Sequence, residues 1–515
     1  MSRQLFKSLG SLFLLGLSAN MAGAGETPSA IAPTIARDAI LCPSATYLTL
    51  QAGRVVAVNW LQYAPGTVHT VSILNQSRIL DATIDIREDQ TSGNSSVVLS
   101  VPGEKPDDPK IRQLGMGAIY WSDMIASSVA QAVARARVLN EPIVRIPAAS
   151  LFTDSRGEVE VEQIDPTDWK VVYHNKKYFV FTDRMGCMLS ATLPDYGVTI
   201  ERRLEFARSE YPLWTPYGAP PDNAYIARDV KIKAIQGHTL AGTLTLPRNG
   251  KKLPAAVLIT GLSPSERNGG LPPWMPFRDI ADILTRAGIA VLRVDDRGIG
   301  QSTGDHSPST TFDEANDVST EVAWLRKQTM IDQRRIILIG YSEGGLIATM
   351  VASRDRAIAG IVSLAGSGVS GDQLAREQTE QAVVRDPTIA VADRDHEIER
   401  RLAEPQTPRE KSFLAIDPLE FALRVKCPAL IIQGGADITV PIRSAERLAS
   451  AMRANGNEDV TAMIVPGTSH SLLPDPIGLS TEWVWLPAFV TSPDVLGALA
   501  DWASLHTKSK RSGRP

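Results

Sequence analysis

Residues 335–353, RIILIGYSEGGLIATMVAS, read as a strand, a tight turn centred on Ser342, and a helix. Ile336–Ile339 are continuously apolar, as in a strand covered on both faces of a parallel sheet. Gly340, Gly344 and Gly345 remove the Cβ atoms that would crowd so sharp a turn. A serine between glycines in this setting is held on a strained elbow with its hydroxyl exposed, the placement of a nucleophile. The same five-residue pattern recurs at Gly300–Gly304 around Ser302, but there the strand ends at Val294 and only polar loop follows. With 38 glycines in the chain a chance repeat is unsurprising, so Ser342 is the expected nucleophile and Ser302 a loop residue.

Outward from the elbow, two amphipathic strands, DVKIKAIQG and TLAGTLTLP, precede six short apolar runs: AAVLITG, IAVLRVD, RIILIG, IAGIVSLAG, ALIIQGG and TAMIVPG. Helical segments such as FRDIADILTRAG and FDEANDVSTEVAWLRKQ lie between them, with Thr311 and Glu314 as a candidate capping box. Such alternation predicts an α/β architecture, a mainly parallel sheet with helices on both faces. In these sheets functional side chains gather at the carboxyl ends of the strands.

That rule selects the partners of Ser342. A serine hydroxyl needs a base to take its proton, and the base needs an acid to orient it. Three of the seven histidines follow Ser342. His396 lies in the charged run ADRDHEIERR and His506 in the polar tail, whereas His470, in VPGTSHSLLP, directly follows an apolar strand. Among the intervening acids, Asp437 alone stands in a loop after an apolar strand, in GGADITVP; Asp372, Asp386, Asp393, Asp395 and Asp417 fall in polar, helical or turn contexts. The expected triad is Ser342, Asp437 and His470. Its oxyanion hole would use the backbone N–H of Glu343 and a second donor from LSPSERNGG, Leu262 before Ser263.

The first half differs. From about Tyr47 to Arg203 short β patterns dominate, including HTVSILNQ, SSVVLSVPG and WKVVYHNKKYFVFTD, with a turn at His174-Asn175-Lys176. One stretch, residues 118–139, AIYWSDMIASSVAQAVARARVL, has helical spacing. No blade-length repeat occurs, and PYGAPPDN, around residues 216–223, reads as a linker. At the very start, Arg3 and Lys7, the apolar run Leu9–Leu17 and Ala22-Gly23-Ala24 form an export signal too short to span a bilayer. The expected organisation is a signal peptide over residues 1–24, a β-rich (α+β) domain over 25–218 and a catalytic domain over 219–510. Localisation would be periplasmic or secreted, where Cys42 and Cys187 are able to pair; Cys427 reads as a buried thiol.

At 515 residues and a net charge of -4, the chain gives no electrostatic reason to expect nucleic acid. It holds no phosphate-binding loop and no zinc-ligand motif, so neither cofactor nor metal is expected. No stable membrane insertion is expected either.

The motifs VLITGLSPSERN, VLRVDDRGIGQSTGD, ILIGYSEGGLIA, IIQGGADITVP and GTSHSLLP together resemble a bacterial α/β-hydrolase, over roughly Ile226–Leu505. The likeness is to secreted carboxylesterases of the EstD type, near the serine aminopeptidase-type hydrolases. It implies an eight-stranded sheet, a small-molecule ester as substrate, and a D-x-R-G-x-G-x-S loop that accounts for Ser302. One departure is Thr260-Gly261, where many relatives have His-Gly. A charged helical insertion at about residues 372–424 stands where such enzymes carry a cap. TEWVWLPAFV, with Trp483, Trp485 and Phe489, would line an acyl pocket or pack as core. A serine peptidase is the alternative, with Glu377 and Glu380 as candidate amine ligands in the cap, and a non-catalytic binding protein is the third reading.

Overall fold

The computed structural model describes residues 42–508, apart from 65, 89–93, 101–109, 124, 152–155, 204–206, 387, 405, 479–485 and 487. The expected export signal, Met1–Ala24, and Trp483 and Trp485 lie outside the described residues.

Among the described residues the first half forms a 13-stranded sheet. Its strands are β1 (Ala45–Gln51), β2 (Arg54–Ala64), β3 (Thr67–Leu74), β4 (Arg78–Glu88), β5 (Asn94–Ser100), β6 (Lys110–Met116) and β7 (Ile119–Trp121), then β8 (Ile143–Ser150), β9 (Arg156–Gln163), β10 (Asp168–Tyr173), β11 (Lys176–Thr182), β12 (Met188–Leu193) and β13 (Val198–Arg203). Neighbours pair antiparallel except β7 and β8, which are parallel and joined through helix α1 (Ala126–Leu139). The helical reading of residues 118–139 is therefore corrected at its start. Ile119, Tyr120 and Trp121 are β-formers, fully buried in a strand, and the helix begins only at Ala126. Alternate residues of the strands and one face of α1 join in a single apolar core. The β10–β11 hairpin turns through His174 and Asn175, both at positive φ, as a two-residue turn requires. Lys176, read from sequence as part of that turn, starts β11 and is buried against Asp123 at 3.0 Å. Cys42 and Cys187 are joined by a disulfide, with Cα atoms 5.5 Å apart.

The second half is an eight-stranded sheet in the order β14-β15-β17-β16-β18-β19-β20-β21. These are β14 (Tyr225–Lys233), β15 (Thr239–Pro247), β16 (Leu253–Ile259), β17 (Ala290–Val294), β18 (Ile331–Tyr341), β19 (Gly360–Leu364), β20 (Ala429–Gly434) and β21 (Val460–Val465). The first two pair antiparallel and the six from β16 to β21 run parallel. Separate apolar clusters fill the two sides of the sheet, which explains why the central strands are apolar at every position. The helices are α2 (Pro276–Arg286), α3 (Thr311–Arg326) and α4 (Glu343–Arg354). Between β19 and β20 comes the cap, with α5 (Gly371–Arg385), α6 (Arg394–Leu402), α7 (Pro408–Leu414) and α8 (Pro418–Ala422). Two more among the described residues are α9 (Ser444–Ala454) and α10 (Pro493–His506). The cap of α3 is one residue earlier than the sequence reading: Thr310 and Asp313 form the box, and Thr311 Oγ1 donates to Glu343 instead.

The two halves meet beside the carboxyl ends of the parallel strands. Leu473, Leu486, Ala488 and Val490 belong to the apolar core of the first half, and Phe489 packs against it. Each fully buried Leu or Val there contributes about 1.5–3 kcal/mol. Of the two readings of TEWVWLPAFV, the described part is therefore core. Asn75 donates to the Pro273 carbonyl at 2.9 Å, and Arg278 to the Asn75 carbonyl at 2.8 Å. Among the described residues no helix is long and apolar enough to cross a membrane.

Candidate active site

Ser342 directly follows β18 and precedes α4, with φ 55° and ψ -119°. This positive φ is costly for a residue with a Cβ, and it persists because the surroundings force the turn. A Cβ on Gly340 would run into the Gly344 carbonyl, and one on Gly344 into the Ile259 carbonyl. The neighbouring strand end comes as close as van der Waals contact allows: a Cβ on Gly261 would stand 3.4 Å from Ser342 Cβ.

Asp437 lies three residues beyond β20 and His470 five beyond β21. Asp437 Oδ2 is 2.8 Å from His470 Nδ1. The carboxylate is buried and saturated, with Gln433 Nε2 at 2.6 Å on Oδ2 and the N–H groups of Thr439 and Val440, each at 2.8 Å, on Oδ1. With Nδ1 engaged, Nε2 is the free nitrogen of the imidazole. Its ring lies 5.3 Å from that of Tyr341, the residue before Ser342. Thus the three residues expected from sequence converge on one end of the sheet. His396 sits on exposed α6, and His506 is turned to the Trp502 carbonyl and Asp459 at the end of α10.

Leu262 and Glu343, the expected oxyanion donors, stand on the two turns that flank Ser342. The Glu343 side chain is buried, taking a hydrogen bond from Thr311 Oγ1 at 2.7 Å and from Arg409 Nη2 at 2.8 Å. Arg409 belongs to α7 in the cap, and its Nη2 also donates to the Gly261 carbonyl at 3.1 Å. Below it, Thr260 Oγ1 donates to Asp296 Oδ1 at 2.5 Å and the Ser265 N–H to Oδ2 at 2.8 Å. Burial, then the neighbouring Glu314 carboxylate, push the Asp296 carboxyl up to about 8 despite Arg409.

An elbow after β18, a buried acid after β20 and its histidine after β21 are arranged on an eight-stranded, mostly parallel sheet in the chain order Ser, Asp, His. The C-terminal half has the α/β-hydrolase fold. A family model described as the prolyl oligopeptidase family matches residues 276–483. Among curated relatives, esterase EstD of Thermotoga maritima is 24% identical over 284 residues, covering 52% of this chain and 66% of its own length. Acylamino-acid-releasing enzyme 2 of Oryza sativa subsp. japonica is 24% identical over 274 residues, 49% of this chain and 35% of its own length. The chain thus spans just under two thirds of the first relative and about a third of the second. Of solved structures, the Pyrococcus furiosus esterase Pf2001 aligns at 20% identity and a TM-score of 0.41, covering 56% of this chain and 94% of its own.

In this α/β-hydrolase fold the second glycine-flanked serine is a staple. Ser302 is buried; its Oγ donates to the Asp295 carbonyl at 2.7 Å and accepts from the Ala241 N–H at 2.8 Å. It joins the loop after β17 to β15, the loop residue that the sequence reading expected. Glu377, a candidate amine ligand in the cap, is engaged by Gln373 Nε2 at 2.9 Å and by Arg443. Sequence reasoning missed Gln433, Trp274 and Arg409. Trp274 Nε1 donates to the Ser471 carbonyl at 3.2 Å while its ring packs against the core of the first half. Gln433 carried a weak signal, a polar residue inside the apolar strand ALIIQGG. Among the described residues, no group of three or more His, Cys, Asp or Glu is placed to hold a metal ion.

Proposed function

We propose that the chain is a serine hydrolase that cleaves small carboxylic esters through Ser342, His470 and Asp437. The reading rests on the strained elbow at Ser342 beside a His470–Asp437 pair 2.8 Å apart. Ser342 Oγ attacks the ester carbonyl carbon while His470 Nε2 accepts the hydroxyl proton. The oxyanion of the tetrahedral intermediate takes hydrogen bonds from the N–H groups of Glu343 and Leu262. His470 then gives its proton to the departing alkoxide, leaving an acyl-enzyme that a water activated by the same imidazole hydrolyses. Asp437 holds the tautomer with the Nδ1 proton.

The experiment is covalent labelling with a fluorophosphonate, located by peptide mapping, beside p-nitrophenyl butyrate turnover. Label on Ser342, and loss of on the order of 10⁴–10⁶ in kcat for Ser342→Ala, are expected. Label elsewhere, or an active Ser342→Ala, overturns the reading. A peptidase is the second reading, favoured by the prolyl oligopeptidase family match over residues 276–483.

We further propose export to the periplasm or medium. The Cys42–Cys187 disulfide supports an oxidising compartment. N-terminal sequencing of exported protein is expected to begin at Gly25, and an intact Met1 in recovered material overturns it.

A further inference from the structure

One side chain of the cap reaches the turns on either side of Ser342. Arg409 stands in the first turn of α7, a helix begun by a reciprocal cap in which Thr407 Oγ1 accepts from the Glu410 N–H and Glu410 returns a bond to the Thr407 N–H. The helix is also clamped from beneath, since the Gly371 N–H donates to the Ile416 carbonyl at 3.1 Å and a Cβ on Gly371 would strike the Phe413 carbonyl. From this base the guanidinium enters the protein and is 4% exposed. Its Nη1 is 2.9 Å from Glu314 Oε1, and Nε and Nη2 are 3.2 and 2.8 Å from Glu343 Oε2. Nη2 is also 3.1 Å from the Gly261 carbonyl oxygen.

Those last two partners are not equivalent to ordinary core acceptors. The Gly261 carbonyl and the Leu262 N–H belong to one planar peptide unit, so a donor that fixes the carbonyl fixes the direction of the N–H. A charged donor on that oxygen also polarises the unit and makes the opposite N–H a stronger donor. Glu343 carries the other N–H, and its side chain is pinned between Arg409 and Thr311 Oγ1. One planar fork therefore touches the elements that carry both proposed oxyanion donors. A lysine, a point charge on a flexible stem, does not reproduce that geometry.

We infer that Arg409 is a positioning residue that sets the geometry of both oxyanion donors and thereby couples the cap to catalysis. The inference rests on the esterase reading of the same site. Its substrate-independent consequence is that Arg409 acts in the transition state, where negative charge appears on the oxygen, and little in the ground state.

The experiment compares wild type, Arg409→Lys and Glu343→Gln on p-nitrophenyl butyrate, with Ki for a phenylboronic acid, whose tetrahedral serine adduct occupies the same hole. For Arg409→Lys, kcat is expected to fall about 10²–10³-fold, the cost of one lost donor, with KM within about threefold. The boronate Ki should rise with the loss in kcat. A kcat loss smaller than tenfold, or a loss carried by KM with the boronate Ki unchanged, overturns the inference. Should Arg409→Lys not fold, Glu343→Gln, which keeps shape and loses the charged anchor, is expected to lower kcat at least threefold with the same boronate signature; unchanged kcat there overturns it. A wild type that takes no fluorophosphonate on Ser342 defeats the esterase reading and the inference together. A wild type that labels, beside variants of undiminished kcat, defeats only the role of Arg409.

Discussion

Asp437 Oδ2 lies 2.8 Å from His470 Nδ1 and 2.6 Å from Gln433 Nε2, while Oδ1 is held by two backbone N–H groups. Every direction of this carboxylate is used, so it is an acceptor that cannot turn away from the imidazole. Asp437→Asn would present an N–H₂ donor toward a ring nitrogen that must itself donate, and favour the wrong tautomer. A loss in kcat of up to about 10⁴ is expected, with an unchanged circular-dichroism spectrum. Full activity in this variant would send the search to another acid.

Ser302→Ala separates the two glycine-flanked serines by stability. Removing a buried hydroxyl that bridges the Asp295 carbonyl and the Ala241 N–H leaves both backbone groups unpaired. Such a loss costs about 1–3 kcal/mol, to be read from denaturant midpoints, while fluorophosphonate labelling of Ser342 should proceed as in wild type. Unchanged stability would mean that water replaces the hydroxyl.

Asp296 makes the stability of the catalytic half pH-dependent in a defined direction. Its carboxyl is pushed up to about 8 by burial and by Glu314, against about 4 in the unfolded chain. Between those values the folded state keeps a proton that the unfolded state has shed, so stability falls as pH rises. The contribution is fully present below about pH 4 and lost as pH passes about 8, with a slope approaching about 1.4 kcal/mol per pH unit for one whole proton. Asp296→Asn removes this slope. Urea unfolding at pH 5 and 7.5 should show the variant gaining on wild type at the higher pH, and a constant gap would mean that Asp296 is ionised throughout.

The catalytic half was legible because its signals are local. Ile336–Ile339 are apolar on both faces, the glycines around Ser342 sit within three residues of it, and Asp437 and His470 follow directly on apolar strands. Errors of one element edge arose where two readings fit the same residues: Thr310 and Thr311 both suit a cap, and Ile119–Trp121 fit helix spacing as well as a buried strand. What stayed illegible is long-range pairing of charges. Arg409, in the run TPREKSF, reads as solvated surface, since nothing nearby announces that Glu343, 66 positions away, will meet it. Lys176 likewise reads as a turn residue until Asp123, 53 positions earlier, is seen beside it. Phe179 and Phe181 show the converse, being exposed on the outer face of β11 while Lys176 is buried.

The choice between ester and peptide turns on what each leaving group demands. An alkoxide departs readily from the tetrahedral intermediate, whereas an amide nitrogen must be protonated as it leaves. An exopeptidase also has to hold the substrate's free α-amino group with a carboxylate set near the elbow. In the cap, Glu377 is spent on Gln373 and Arg443, and the Glu343 carboxylate, next in sequence to Ser342, is paired with Arg409 within the protein. Among the described residues the first half forms one 13-stranded sheet and no radial set of blades to enclose a peptide. p-Nitrophenyl acetate or butyrate should therefore be cleaved at least tenfold faster, in kcat/KM, than any aminoacyl p-nitroanilide. Tenfold requires only about 1.4 kcal/mol of differential transition-state binding, a low threshold for two substrate classes that differ so much in leaving group. Efficient anilide turnover that is lost on replacing Glu380, or Glu377 once freed from Arg443, would make the chain an aminopeptidase and sink the ester reading.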